Sequence, residues 1–203
     1  MSSVFGHSFI GWAIFNKSHH NQGKYLDRIC WLCWYILIAI APDFDYLIPF
    51  LHPSANEGLR ITHSLAFSLI LPLLTLVYLF TNDRYKPEIK KYILPLIFAG
   101  LSNLIMDLLV GVTALPLLYP FSDRTLKLPF GILPSAGKIS FSNYYFYRNL
   151  IIELGVLIPL NYCFLLITNK QKITTKKLTY ILISGVISIY FMWVSYNLSR
   201  YVL

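Results

Sequence analysis

The chain has 203 residues, 56% of them hydrophobic and 13% charged, with a formal net charge of +8. Soluble domains carry about 25% charged residues, so a soluble globular core is excluded, and the length predicts one domain. The basic residues stand in short connectors between apolar runs, not on a polar surface that follows a phosphate backbone, which excludes nucleic acid as a partner.

A helix needs about 20 mainly apolar residues to cross a bilayer. The first run, 1–16, is short and free of Asp, Glu, Lys and Arg; it crosses as part of a hairpin or lies partly in the interface. With no basic residue before Lys17 and no small-residue cleavage site, it does not read as a removed signal peptide. The runs 29–50, 62–80, 92–118, 150–168 and 178–198 each predict a spanning helix. The expected fold class is all-α: a polytopic membrane helix bundle of five to six spans, forming a single integral membrane domain over 1–203. Cys30 and Cys33 form a C-x-x-C inside an apolar run with no second pair, so they and Cys163 read as small apolar helix residues. There is no internal repeat.

The connectors 17–28, 82–91 and 169–177 hold Lys17, Lys24, Arg28, Arg84, Lys86, Lys90, Lys91, Lys170, Lys172, Lys176 and Lys177, 11 of the 17 basic residues. With six spans these connectors share one side, which the positive-inside rule makes cytoplasmic. The connector 119–148 then lies outside. Pro120, Pro129, Pro134, Gly131 and Gly137 argue against a continuous helix there, and Tyr144, Tyr145, Phe146 and Tyr147 read as an interfacial belt.

Five of the nine acids, Asp27, Glu57, Asp83, Glu88 and Asp123, lie in connectors. Asp43, Asp45, Asp107 and Glu153 lie in apolar runs that contain no basic residue. A carboxylate at the bilayer centre costs about 2.5–3.5 kcal/mol even on the lenient insertion scale, and such residues mark functional sites. They are protonated, paired with the flanking Arg60 or Arg148, or bound to a cation. In the orientation above, Asp43, Asp45, His63, Asp107, Glu153 and His7 all fall toward the outer side. Carboxylates and imidazoles at one depth are metal-ligand chemistry: oxygen suits Mg²⁺ and Mn²⁺, imidazole suits Zn²⁺.

Pro42-Asp43-Phe44-Asp45 places two carboxylates on different sides of a helix, so one ligates while the other orients a ligand or caps the helix. In Arg60-Ile61-Thr62-His63-Ser64, Thr62 or Ser64 offers an N-cap. Asn103 and Asp107 are spaced i, i+4 on one helix face. Gly6-His7-Ser8, Ala41-Pro42-Asp43-Phe44-Asp45, Arg60-Ile61-Thr62-His63-Ser64-Leu65, Ser102-Asn103-Leu104-Ile105-Met106-Asp107 and Leu118-Tyr119-Pro120-Phe121, in this order, resemble the YdjM-type family of LexA-binding, inner membrane-bound, predicted metal-dependent hydrolases.

The resemblance covers roughly 5–155, within a metal-site region 1–155, with 156–203 as additional membrane helices. It implies a bacterial inner (plasma) membrane protein; the connector charges place the site near the outer face. The implied metal ligands are His7, Asp43, His63, Asp107 and Glu153, with Asn103 standing where the family carries a histidine. Gly58 stands at a second such position, so two imidazoles are missing; His52, His19 and His20 are spare histidines. The implied cofactor is a divalent ion, zinc before Mg or Mn, and the implied fold is distantly like zinc-dependent phospholipase C. The expected function is a membrane-embedded hydrolase that acts on a phosphoester or lipid-like substrate through metal-activated water. Arg60 would bind phosphate, and Asp45 or Glu153 would act as general base. Membrane lipids are the expected partners. The alternative is a non-catalytic membrane binding or transport protein with a structural or vestigial metal site.

Overall fold

The computed structural model describes residues 2–18, 25–46, 59–135, 142–168 and 174–200. His19, His20, His52, Glu57, Gly58 and Gly137 lie outside the described residues. Among the described residues every extended element is a helix: α1 (Val4–Ser18), α2 (Tyr25–Ile40), α3 (Leu65–Thr81), α4 (Lys90–Val110), α5 (Tyr144–Thr168) and α6 (Thr175–Arg200). One isolated antiparallel bridge joins Leu115 and Leu126.

Four segments are long and apolar enough to cross a membrane: Tyr25–Asp45, Lys90–Val110, Tyr144–Thr168 and Thr175–Ser199. The run 62–80 yields a shorter helix than its apolar length predicts. Ile61–His63 forms a 3₁₀ turn, and the Ser64 hydroxyl accepts the Phe67 N–H at 3.2 Å, starting α3 only at Leu65. The helix is left with 17 residues. Large apolar side chains such as Leu74, Val77 and Phe80 of α3 and Leu182, Val186 and Ile189 of α6 are exposed. Water would not tolerate such faces; lipid does.

The chain forms two compact units. The larger comprises 7–108 and 114–127. Its core packs Phe15, Tyr35, Ile38, Leu79, Tyr92, Leu96 and Ala99. Trp31 lies 5.3 Å from Tyr92 and 6.0 Å from Tyr85 between ring centroids, within aromatic packing range. Gly11 lets α1 approach the α2 backbone: a Cβ there would come within 2.9 Å of the Tyr35 carbonyl. At the end of α2, Pro42 offers no N–H to the α-helical ladder, and Ala41–Tyr46 tightens into a 3₁₀ helix. That change of winding carries Asp43 and Asp45.

The other unit comprises 1–6, 109–113 and 128–203. Its helices α5 and α6 run antiparallel: the Ser188 hydroxyl donates to the Val156 carbonyl at 3.0 Å, and Cys163 meets the Ile181 carbonyl at 3.3 Å. Here α4 ends, earlier than the run 92–118 predicts. Gly111 takes φ +66, and the Leu109 carbonyl accepts the Ile132 N–H at 2.8 Å. A side chain at Gly111 would strike the Phe130 carbonyl, so only glycine terminates the helix here.

Candidate metal centre

Four segments of the larger unit carry the site. α1 supplies His7, the 3₁₀ helix after α2 supplies Asp43 and Asp45, the turn before α3 supplies Thr62 and His63, and α4 supplies Asn103 and Asp107. His7, His63, Asn103 and Asp107 have 0% exposure, and Asp43 has 7%. Neither carboxylate of the Asp43–Asp107 pair can be solvated at that burial, so its charge must be met inside the protein.

The two imidazoles meet the two carboxylates in a regular pattern. His7 Nε2 lies 3.4 Å from Asp43 Oδ2 and 3.5 Å from Asp107 Oδ1. His63 Nε2 lies 3.2 Å from Asp43 Oδ1 and 3.3 Å from Asp107 Oδ2. Each of the four carboxylate oxygens is thus approached by one imidazole nitrogen. His7 and His63 approach different oxygens of each carboxylate, so these distances describe two histidines flanking a carboxylate pair. Ligand atoms of His7, Asp43 and Asp107 lie within 4.8 Å of one another, a group able to hold a metal ion; His63, which faces the same carboxylates, is not in that group.

Asp45 faces a different environment. Arg60 grips it with both arms, Nη2 to Oδ1 at 2.7 Å and Nε to Oδ2 at 2.9 Å. The Thr62 hydroxyl donates to the same Oδ2 at 2.9 Å. Arg60 Nη2 also stands 3.7 Å from Asp43 Oδ1. The ion pair meets the charge of Asp45, whereas Asp43 and Asp107 face the two imidazoles.

Asn103 turns its amide nitrogen to Asp43 Oδ2 at 3.1 Å and to the Ala39 carbonyl at 3.1 Å. It therefore orients Asp43 and ties it to the end of α2. Its amide oxygen is buried without a hydrogen-bond partner among the described residues.

Glu153 belongs to the other unit and is not in the His7–Asp43–Asp107 group. The sequence placed it in the first turn of a span, but α5 begins at Tyr144, which puts Glu153 in the third turn. It is 1% exposed. It accepts the Ser3 N–H at 3.0 and 3.3 Å, and the Ser2 hydroxyl as well. Ser3 in turn accepts the Gly6 N–H at 2.9 Å, the pattern of an N-cap for α1. In a capping box the third helical residue returns an acceptor to the cap's N–H. That residue is Gly6, which has no side chain, and Glu153 takes its place. A Cβ at Gly6 would run into the Glu153 carboxylate.

Sequence reading missed Thr62 as a bridge between Asp45 and His63, and Ser2 and Ser3 as partners of Glu153. The Thr-His dipeptide and the Ser-Ser pair ahead of Gly6 are their only local traces.

The model of the family described as YdjM inner membrane protein matches residues 1–197. No curated protein and no solved structure matches the chain.

Proposed function

The chain belongs to the YdjM inner membrane protein family, and on that premise we propose that it is a membrane-embedded, metal-dependent hydrolase of phosphoester or lipid-like substrates. The observation that supports this reading is the convergence of two imidazoles and two carboxylates at 3.2–3.5 Å in a buried space. The donor set suits a divalent ion, zinc better than Mg or Mn because half the donors are imidazole nitrogen. The charge also fits, since one dication cancels Asp43 and Asp107 while Arg60 cancels Asp45. In a medium of low dielectric a neutral assembly is the stable one.

His7, Asp43, His63 and Asp107 would hold the ion, and Asn103 would orient Asp43. A bound divalent ion would supply Lewis-acid polarisation of a phosphoryl oxygen and acidify water. Arg60 keeps a fixed positive charge beside Asp43, placed to attract an anionic phosphoryl group. Asp45, which accepts three hydrogen bonds, holds Arg60 and Thr62 in place. We assign the site to the outer part of the inner membrane on the connector charges, with α3 and α1 as the fifth and sixth spans. A distant likeness to zinc-dependent phospholipase C is a fold-level analogy.

One observation favours a second reading, a structural ion in a non-catalytic binding or transport protein. His7, His63 and Asp107 are fully buried, and four protein ligands would close a tetrahedral shell, as structural zinc sites do.

Elemental analysis of detergent-purified protein tests the centre. About one ion per chain is expected in the wild type, and close to none in Asp43→Ala or His63→Ala. Equal metal in all three would remove the site. Hydrolysis of a chromogenic phosphodiester by the wild type but not by Asp107→Ala would support the enzyme. Metal binding without hydrolysis would favour the structural ion.

A further inference from the structure

We propose that Thr62 is a positioning residue that fixes the ring of His63 in the one tautomer able to ligate through Nε2. The inference rests on the metal-centre reading above. It concerns a side chain that lies outside the proposed ligand set.

Thr62 Oγ1 lies 2.9 Å from Asp45 Oδ2 and 3.0 Å from His63 Nδ1. A hydroxyl has one hydrogen to donate and lone pairs to accept with. The carboxylate of Asp45, paired with Arg60, can only accept. The Thr62 hydrogen therefore goes to Asp45, and Thr62 Oγ1 must accept from His63. Nδ1 carries a proton.

A neutral His63 then has its lone pair on Nε2, which faces Asp43 Oδ1 at 3.2 Å and Asp107 Oδ2 at 3.3 Å. Three electron-rich atoms facing one space is the arrangement a cation stabilises. The opposite tautomer would point an N–H into that space and block ligation. Metal-bound histidines are commonly fixed by a hydrogen bond from their other ring nitrogen to a carboxylate or carbonyl. Here the carboxylate stands too far for that, with Asp45 Oδ2 3.9 Å from His63 Nδ1. The threonine hydroxyl fills the gap, and the order Arg60–Asp45–Thr62–His63 forms one chain of donors and acceptors.

The test uses Co²⁺ as probe, with detergent-solubilised, chelator-treated full-length protein. Thr62→Val keeps the shape and removes the hydroxyl, and Thr62→Ser keeps the hydroxyl. Loss of a partner of this kind costs about 10–100-fold in metal affinity. Thr62→Val is therefore expected to weaken Co²⁺ binding by that factor and to alter the visible absorption of the bound ion. Thr62→Ser is expected to bind within a few-fold of wild type. Equal binding by wild type and Thr62→Val overturns the proposal. So does Thr62→Ser binding as poorly as Thr62→Val, since that would mark a packing effect.

A second readout needs no metal. In ¹⁵N-histidine-labelled wild type, His63 should show a hydrogen-bonded Nδ1–H resonance, and that signal should vanish in Thr62→Val. An unprotonated Nδ1 in the wild type overturns the proposal even if Thr62→Val cannot be recovered folded. Protein that shows the Nδ1–H signal but binds no Co²⁺ would sink the metal centre and leave the tautomer assignment standing.

Discussion

Glu153 and the Asp43–Asp107 pair answer one problem, a buried carboxylate in a membrane helix, in two ways. Glu153 is met by fixed donors: the Ser3 N–H, and the Ser2 hydroxyl. Each donor brings a hydrogen, and nothing further is required. Asp43 takes one amide N–H from Asn103, but both Asp43 and Asp107 are otherwise met by imidazole nitrogens, and His63 Nε2 faces them without a proton when its ring is neutral. Donors complete the first environment. The second is one that a cation could complete. The lesson is that burial alone does not distinguish the two kinds of acid; the protons of the surrounding partners must be counted too.

Asp45 should behave like Glu153 and unlike its neighbour two residues earlier, which makes Arg60 the largest lever. Removing one partner of a buried ion pair costs about 3–5 kcal/mol. Arg60→Gln should therefore lower stability by about that amount, read as thermal unfolding in detergent. Adding Asp45→Asn should recover most of the loss. An Arg60→Gln variant that unfolds with the wild type would show that Asp45 is not settled by Arg60, and the contrast with Asp43 would fail.

Chelation should separate the two kinds of acid next. A ligand at 100 times its Kd stabilises the native state by about 2.7 kcal/mol. Stripping metal from the wild type should lower its unfolding midpoint accordingly. The same treatment should leave Asp107→Asn unmoved, because that variant has nothing to lose. Identical wild-type midpoints with and without chelator would mean that protons, not a metal ion, settle Asp43 and Asp107.

Much of this was legible in the chain. Apolar runs marked the helices because a membrane imposes length and composition together, and four of them have spanning length. His7, Asp43, His63 and Asp107 stood out because ionisable groups in apolar runs are costly and lacked basic partners there. What escaped depended on short-range geometry. Pro42 was visible, but not that the 3₁₀ turn after it would aim Asp43 at two histidines and Asp45 at Arg60. Gly111 was one glycine in an apolar stretch until φ +66 showed it ending α4. Thr62 and Ser64 both offered a cap, since threonine and serine before a helix usually do; Ser64 holds that role, and Thr62 bridges Asp45 and His63 instead. Glu153 read as a fifth ligand, and its hydrogen-bond partners Ser2 and Ser3, about 150 residues away and uncharged, had no local trace in the sequence around it.

The smallest effect tests the Glu153 side of the contrast most directly. Replacing glycine by alanine inside a helix normally stabilises by up to about 1 kcal/mol. At Gly6 the added methyl would meet the Glu153 carboxylate, which is held by Ser2 and Ser3 and has little room to yield. Gly6→Ala should therefore destabilise by about 1–2 kcal/mol, the usual cost of overpacking. In a Glu153→Ala background the carboxylate is gone and the Ser2 hydroxyl, 3.0 Å from the added methyl, is released from it and can turn away, so the same substitution should become neutral or stabilising. That reversal of sign, measured as thermal midpoints of the four variants, is specific to a carboxylate standing in for the missing third residue of the capping box. Gly6→Ala having the same effect in both backgrounds would mean that Glu153 does not close the start of α1, and Glu153 would return to the pool of acids in need of a cation.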